Sequence, residues 1–292
     1  MIEHSSPNVQ VIDLAQGLWI WRLDHPRWAE GLDWQERVTS VCVDVGEERW
    51  LLDPLMPPDN AFDLWDRFTD RPPTAVAVLL PDHMRPTWAD RETWSVDAVV
   101  QRYGCEAFGP NTFDPDMGEA DTEVHHIIPG QQLPGGLVPL DDPRGWHETP
   151  MWIPEHRTLV FGDTLTERAG VLRIWASPTH EEAAVPALRS LLELPFERVI
   201  VSHGEPVHSR DAFEQALQHP PWPASSLHLA AWRGDLDQVK NLVKRGADLM
   251  ARAESVPGTP LDWARKASLS DAGQPSHDDV ISYLEARSAQ AR

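Results

Sequence analysis

The sequence predicts an α+β protein: layered sheets with helices outside them, followed by a small all-helical domain. Three observations carry this. Over the first two thirds of the chain, strand-like stretches alternate with helical spacing, while tight turns join some strands directly as hairpins. Near the C-terminus a short segment recurs, Leu227 matching Leu261 at 34 residues, as stacked helical repeats do. Charge also breaks between the two parts. Residues 224–292 hold nine basic and nine acidic side chains, so the whole net charge of −21 falls on the first 223. Pro220, Pro221 and Pro223 stand at that break and interrupt helix. The expected domains are 1–219 and 224–292, in keeping with 292 residues and about 150 per domain.

Taken in order, Gly17–Arg22 and Val38–Val45 read as strands. The turn Gly46–Arg49 then leads to Trp50–Asp53 as a hairpin partner. Ala61–Thr69 has helical spacing through Phe62, Leu64, Trp65 and Phe68. Thr74–Leu80 is a continuous apolar run, as buried strands are. A helix over Val96–Tyr103, a strand from Glu106, and a strand over Thr158–Phe161 ending in Gly162-Asp163-Thr164 follow. Pro186–Leu194 reads as a helix, and Arg198–Ser202 as a last strand ending in His203-Gly204.

In the C-terminal part, Ser226-Leu-His-Leu-Ala-Ala231 recurs as Thr259-Pro-Leu-Asp-Trp-Ala264. Asp235 is placed to cap a second helix whose Val239, Leu242 and Val243 share one face. Gly246 in Arg245-Gly-Ala-Asp248 closes that helix. The block resembles an ankyrin repeat. Its second copy departs from the pattern: Val239 should match Ile281, 42 residues on, so about eight residues are inserted around Ser270–Ser276. Two repeats are fewer than the three or so that stability needs. The pair is therefore expected either to dock on the N-terminal domain or to bind a protein partner.

Across roughly residues 8–217 the order of landmarks resembles the metallo-β-lactamase superfamily. Trp50-Leu-Leu-Asp53 is similar to its early strand ending in aspartate. Leu79-Leu-Pro-Asp-His83 falls where its His-x-His-x-Asp-His motif stands. Leu159-Val-Phe-Gly-Asp163 resembles the strand ending in its metal-bridging aspartate, and Val199-Ile-Val-Ser-His203-Gly204 its closing strand with the final histidine. The resemblance implies a four-layer αββα sandwich with metal at one edge, at strand ends. It also shows departures. The motif's second histidine would fall at Met84, its aspartate at Pro86 and its last histidine at Thr87, which leaves Asp82 and His83. His147 stands about two positions from the expected histidine turn before the Asp163 strand.

A two-metal site needs several ligands at fixed distances, so the usual one is expected to be absent. Three readings stay open. One is a pseudoenzyme that kept the fold as a non-catalytic binding or scaffold protein, with the ankyrin repeats as its interaction module and no cofactor. The second is a remodelled site in which His83, His147, Asp163 and His203 hold one zinc or iron ion. A bound water there would attack an ester, thioester or lactone. Asp163 would also help orient the water, with Asp82 or Glu148 as base. The third is a metal-free binder of a small-molecule ligand in the cleft.

Other features narrow the function. The acidic domain would repel phosphate backbones, so no nucleic acid partner is expected. No apolar stretch reaches the roughly 20 residues of a membrane span. The N-terminus, with Glu3 and no apolar run, does not read as a signal peptide. A cytoplasmic protein with Cys42 and Cys105 as free, buried thiols is expected. His125 and His126 are adjacent and would face opposite ways in a strand. Of 14 tryptophans, Trp19 and Trp21 share a strand face, and Trp88, Trp94, Trp146 and Trp152 fall near the expected cleft rim. Trp232 and Trp263 lie in the first helices of the two repeats and read as interface or core. Nucleophile-elbow, phosphate-loop and dinucleotide motifs are absent.

Overall fold

A computed structural model of the chain describes residues 9–29, 34–110, 120–145, 147–168, 170–175, 178–219, 225–252, 258–270 and 275–290. It forms two compact units, one of Met1–Leu172 with Leu188–Ala216, the other of Arg173–Ala187 with Leu217–Arg292. The second unit thus starts beside the proline run, and also takes in residues 173–187.

The first unit is built on two sheets. The larger has seven strands in sequential order: β1 (Gln10–Ala15), β2 (Leu18–Asp24), β3 (Arg37–Val45), β4 (Glu48–Leu52), β5 (Ala75–Ala77), β6 (Glu106–Gly109) and β7 (Val124–His126). Pairing is antiparallel from β1 to β4 and parallel from β4 to β7. Helices α1 (Phe62–Trp65) and α2 (Ser95–Tyr103) belong to the parallel half, where strands running the same way need a crossover. The second sheet contains β8 (Val138–Pro139), β9 (Met151–Ile153), β10 (Thr158–Phe161), β13 (Arg198–Val201) and β14 (Val207–Ser209), ordered β14-β13-β10-β9-β8. Within it β10 and β13 are parallel. Between them in sequence lie the hairpin β11 (Leu165–Arg168) with β12 (Val171–Ile174), and helix α3 (Pro178–Ser190). Helix α4 (Arg210–Ala216) follows β14.

Strand alternation sets the layers, since neighbouring side chains leave a strand on opposite faces. Leu18, Ile20, Val41, Val43, Trp50 and Leu52 turn inward and form one core with Met151, Ile153, Val160 and Ile200 of the second sheet. On the other face Trp19, Trp21, Cys42, Leu51 and Val76 pack against Leu64, Phe68, Val96 and Val99 of the helical layer. Beyond the second sheet, Phe161 of β10 stacks on Phe213 of α4 at 6.3 Å, and Phe196 meets Phe213 edge-on at 5.2 Å. The order is helix, sheet, sheet, helix, the expected αββα sandwich. Burying an apolar side chain of this size contributes about 1.5–3 kcal/mol. Cys42 and Cys105 are free and buried. Burial pushes both thiols up, Cys105 to about 11.

Two elements differ from expectation. The run Thr74–Leu80 gives only a three-residue strand, because the backbone turns at Leu79 toward Asp53. Pro186, taken as a helix start, lies inside α3, which begins eight residues earlier. A proline at a helix's first turn and one that interrupts a helix already begun look alike in sequence.

The second unit carries four helices after its first segment: α5 (Ser226–Trp232), α6 (Leu236–Lys244), α7 (Pro260–Ser270) and α8 (Pro275–Gln290). Ser225 caps α5 in a capping box with His228, and Asp235 caps α6 by accepting Gln238 N–H at 2.9 Å. Leu227, Ala230, Ala231 and Val239 share a core with Ala264, Val280 and Leu284. Val280, one residue before the expected Ile281, is the fully buried partner. Trp232 and Trp263 meet edge-on at 6.0 Å within the unit. Residues 271–274 of the inserted segment lie outside the described residues.

Candidate metal centre

Strands β4 and β5 of one sheet run parallel, as do β10 and β13 of the other. The loops after their C-terminal ends supply Asp53, His83, Asp163 and His203 in that order. His83 ends a 3-10 turn, Pro81–His83, after β5. An isolated bridge between Val38 and His203, and Thr39 N–H donating to Ser202 C=O at 2.9 Å, tie the two sheets together at this edge.

Three side chains meet here. Asp163 Oδ1 lies 3.2 Å from His83 Nε2 and 3.3 Å from His203 Nε2. Among the described residues, His83, Asp163 and His203 form the one group of three donors placed to hold an ion, with donor atoms within 4.8 Å of one another. All three are under 10% exposed. The other ring nitrogen of His83 is gripped by Asp53, with Nδ1 2.6 Å from Oδ2. Asp53 is itself held, since Leu79 N–H donates to its Oδ1 at 2.7 Å. In the absence of an ion, burial disfavours charge on His83, but Asp53 and Asp163 outweigh it and lift the imidazole to about 10. Burial pushes His203 down, against the opposing pull of Asp163. Asp163 is buried, yet the two imidazoles hold it well below the usual carboxylate range.

The donor chemistry fits a single ion. Zinc bonds to nitrogen and oxygen of about 2.0–2.2 Å place tetrahedral ligands about 3.3 Å apart, close to the 3.2 and 3.3 Å that separate Asp163 Oδ1 from the two imidazoles. A carboxylate on Nδ1 fixes the proton there and turns the Nε2 lone pair inward, as in carboxylate–histidine–metal arrangements.

Of the remaining candidates, His147 falls elsewhere, while Asp82 and Glu148 adjoin the three donors. His147 is exposed, with φ +64°, and its N–H donates to Asp142 Oδ2 at 2.6 Å, so it stands in a turn apart from the three donors. Asp82 sits on the His83 turn, open to solvent. The protein packed round its carboxyl, together with Asp163, raises it to about 6. Glu148 is fully buried and holds the Asp163 turn. It accepts from Gly162 N–H at 2.9 Å, Asp163 N–H at 3.3 Å, Thr164 N–H at 2.7 Å and Thr164 Oγ1 at 2.7 Å, and pairs with Arg144 at 2.9 Å. Burial raises its carboxyl against these partners. With its lone pairs committed, Glu148 positions Asp163 and has no oxygen left over for proton transfer. Where the motif would supply further ligands, Met84 is buried in the core shared with the helical layer, and Thr87 bonds within the Asp90 turn.

Three nearby residues were not expected. Arg85 is buried against Thr39 C=O at 2.8 Å and Asp53 C=O at 2.5 Å. Trp34 packs 5.5 Å from His203, and His25 meets Trp34 edge-on at 5.0 Å. Burial, with Arg85, His203 and His83 nearby, pushes His25 down to about 3. Among the described tryptophans, the one beside His203 is thus Trp34. Trp88 and Trp94 pack against the helical-layer core, Trp152 lies in β9, and Trp146 is outside the described residues.

Gly204 lets the closing strand turn after His203. Its φ is +85°, and a Cβ there would lie 2.5 Å from Glu167 C=O. Glu167 N–H donates to His203 C=O at 3.1 Å, so the clash would fall on the backbone that seats the histidine. Gly204→Ala is expected to lower stability by about 1–3 kcal/mol, read by urea unfolding. A loss under half a kcal/mol would show that the turn adapts.

Comparison with known proteins agrees with both parts. The ankyrin repeat family matches residues 224–254. No curated protein matches the sequence. Solved metallo-β-lactamases match the fold of most of the chain. One is FIM-1 from Pseudomonas aeruginosa in its mono-zinc form, with 17% identity over 72% of this chain and 93% of that one, at a TM-score of 0.52. Another, from Hirschia baltica, shares 15% over 72% and 96%, at 0.51. DIM-1 shares 10% over 73% and 97%, at 0.55. The chain therefore has a metallo-β-lactamase fold and carries an ankyrin repeat. No helix among the described residues is long and apolar enough to cross a membrane.

Proposed function

We propose that the N-terminal domain is a mononuclear metal-dependent hydrolase acting on an ester, thioester or lactone. The observation that supports this is the convergence of three donors within 4.8 Å of one another, Asp163 Oδ1 standing 3.2 Å from His83 Nε2 and 3.3 Å from His203 Nε2, with Asp53 on the far nitrogen of His83. These three residues would hold a zinc or iron ion and leave a fourth position open. A bound ion would supply Lewis acidity, polarising a carbonyl and acidifying water. The chain's own residues would do the rest. Asp53 keeps His83 in the ligating tautomer, and Glu148 holds the Asp163 turn. Asp82, beside His83 and open to solvent, is the carboxylate placed to take a proton. Trp34 covers the flank of His203 and would exclude water there.

The test is the metal content of purified full-length protein after growth with zinc, iron and manganese. Near-stoichiometric metal is expected, falling to background in His203→Ala. A wild-type protein without metal would overturn the proposal. It would favour a second reading, which one observation also supports: His83 lies between Asp53 and Asp163 and is raised to about 10, so the cluster can be satisfied as an ion-paired triad. The domain would then be a binding scaffold. Under either reading the ankyrin region is proposed as the interaction module, for a protein partner or for the N-terminal domain itself.

A further inference from the structure

A cavity of about 670 Å³ opens at the other end of the sandwich from the three donors. Asp163 and His203 follow the C-terminal ends of β10 and β13, whereas the cavity lies where those strands begin, against the β1–β2 and β3–β4 turns. Along β3, Val38 bridges to His203 near one end and Asp44 lines the cavity near the other. The size is that of a small-molecule pocket, roughly 300–1,000 Å³.

Its wall carries both signs of charge, Arg71, Arg157 and Arg198 with Asp44, Glu155 and Glu197. Two of these groups are committed. Both oxygens of Asp44 accept from Arg49, at 2.6 and 2.8 Å, and Arg71 donates to Gly46 C=O at 2.8 Å and Glu48 C=O at 3.2 Å. The others have bonding capacity to spare. Glu155 accepts Gly46 N–H through Oε2 at 3.3 Å, and Glu197 meets Arg157 through Oε1 at 2.7 Å, which leaves the second oxygen of each for another donor. The Arg157–Glu197 pair is 52% and 65% exposed, so water screens it and a ligand can replace it at little cost.

Arg157 supplies a second observation. Its φ of +47° lies in the left-handed region, where aspartate and histidine stand more often than arginine. Glycine would make this turn into β10 without strain. The arginine kept there donates Nε–H to Pro195 C=O at 2.9 Å, which fixes its guanidinium at the cavity wall. Strain retained at one position is a pointer to function there.

The mixture of charges selects the ligand. A plain anion would enter against a domain of net charge −21, and a plain cation against three guanidiniums. An apolar ligand would strip water from charged groups and pair with none of them. We propose that this cleft binds a small zwitterion with an ammonium group and a carboxylate at its two ends, as in a short peptide with free termini. Arg157 and Arg198 take the carboxylate, and Glu155 and Glu197 the ammonium. The site stands apart from the metal centre and from any reaction there.

The experiment is isothermal titration of the full-length chain with triglycine, alongside its N-acetylated and C-amidated forms. Chelator is kept in excess, so that no ion at the metal centre can hold the peptide. The free-ended peptide is expected to bind, and either cap to weaken it about tenfold or more, the loss of one charge-assisted hydrogen bond. Arg157→Gly, which suits the backbone of its turn, and Glu197→Gln, at an exposed position, are each expected to do the same. No binding of triglycine up to millimolar concentration would overturn the proposal. Equal binding of the acetylated form would make this an anion site, and equal binding of the amidated form a cation site; either result overturns it. Unchanged affinity in both variants would place the peptide elsewhere and overturn it too.

Discussion

Glu148→Ala is expected to cost about 3–5 kcal/mol of unfolding free energy, because it breaks a buried ion pair and leaves the partner charge behind. Arg144 and Glu148 are both buried, 2.9 Å apart. The same carboxylate receives the N–H groups of Gly162, Asp163 and Thr164 and the Thr164 hydroxyl, donors that lie too deep for water to replace it. The substitution should also loosen the Asp163 turn and lower metal content with it. Glu148→Gln should fall between, since one oxygen remains to accept while the amide nitrogen faces donors. Equilibrium denaturation of the three proteins reads the series. A loss below about 1 kcal/mol for the alanine variant would mean that the turn is held by its own backbone.

The second large effect falls on Asp53→Asn, expected to weaken metal binding about 10- to 100-fold with the fold retained, the range for outer partners of ligating histidines. Asparagine can keep an oxygen toward Leu79 N–H, so the strand end should survive. Its amide then points an N–H at His83 Nδ1. The imidazole must accept there and carry its proton on Nε2, where the ion would bind. Zinc affinity measured by competition with a chromophoric chelator gives the answer. Unchanged affinity would mean that Asp53 does not set the tautomer.

Much of this architecture was legible in the sequence, and the reason is local. Strands such as Thr158–Phe161 and Arg198–Val201 are apolar runs cut off by Gly-Asp-Thr and Ser-His-Gly, so their ends and the side chains there could be read directly. His83, Asp163 and His203 were candidates for that reason. His147 was a candidate too, but its place is set by a left-handed turn closed on Asp142, and nothing in the residue types foretells that geometry. Glu148 was read as a possible base; only the folded chain shows five groups already bonded to its carboxylate. Asp53 served as a landmark alone, because its contact with His83 spans 30 residues. Arg85 and Trp34 gave no signal, since a buried arginine and a surface one look the same until the neighbours are known.

The bridge between Val38 and His203 has a consequence for when the centre can exist. His83 and Asp163 are 80 residues apart, and the third donor arrives only with the last parallel strand of the second sheet. A chain emerging from the ribosome therefore holds two halves of a clasp that cannot shut until residue 203 is out. If the proposed ion is bound, it would join the loop after β5 in one sheet to the loops after β10 and β13 in the other, so its removal is expected to ease the separation of the two sheets at this edge.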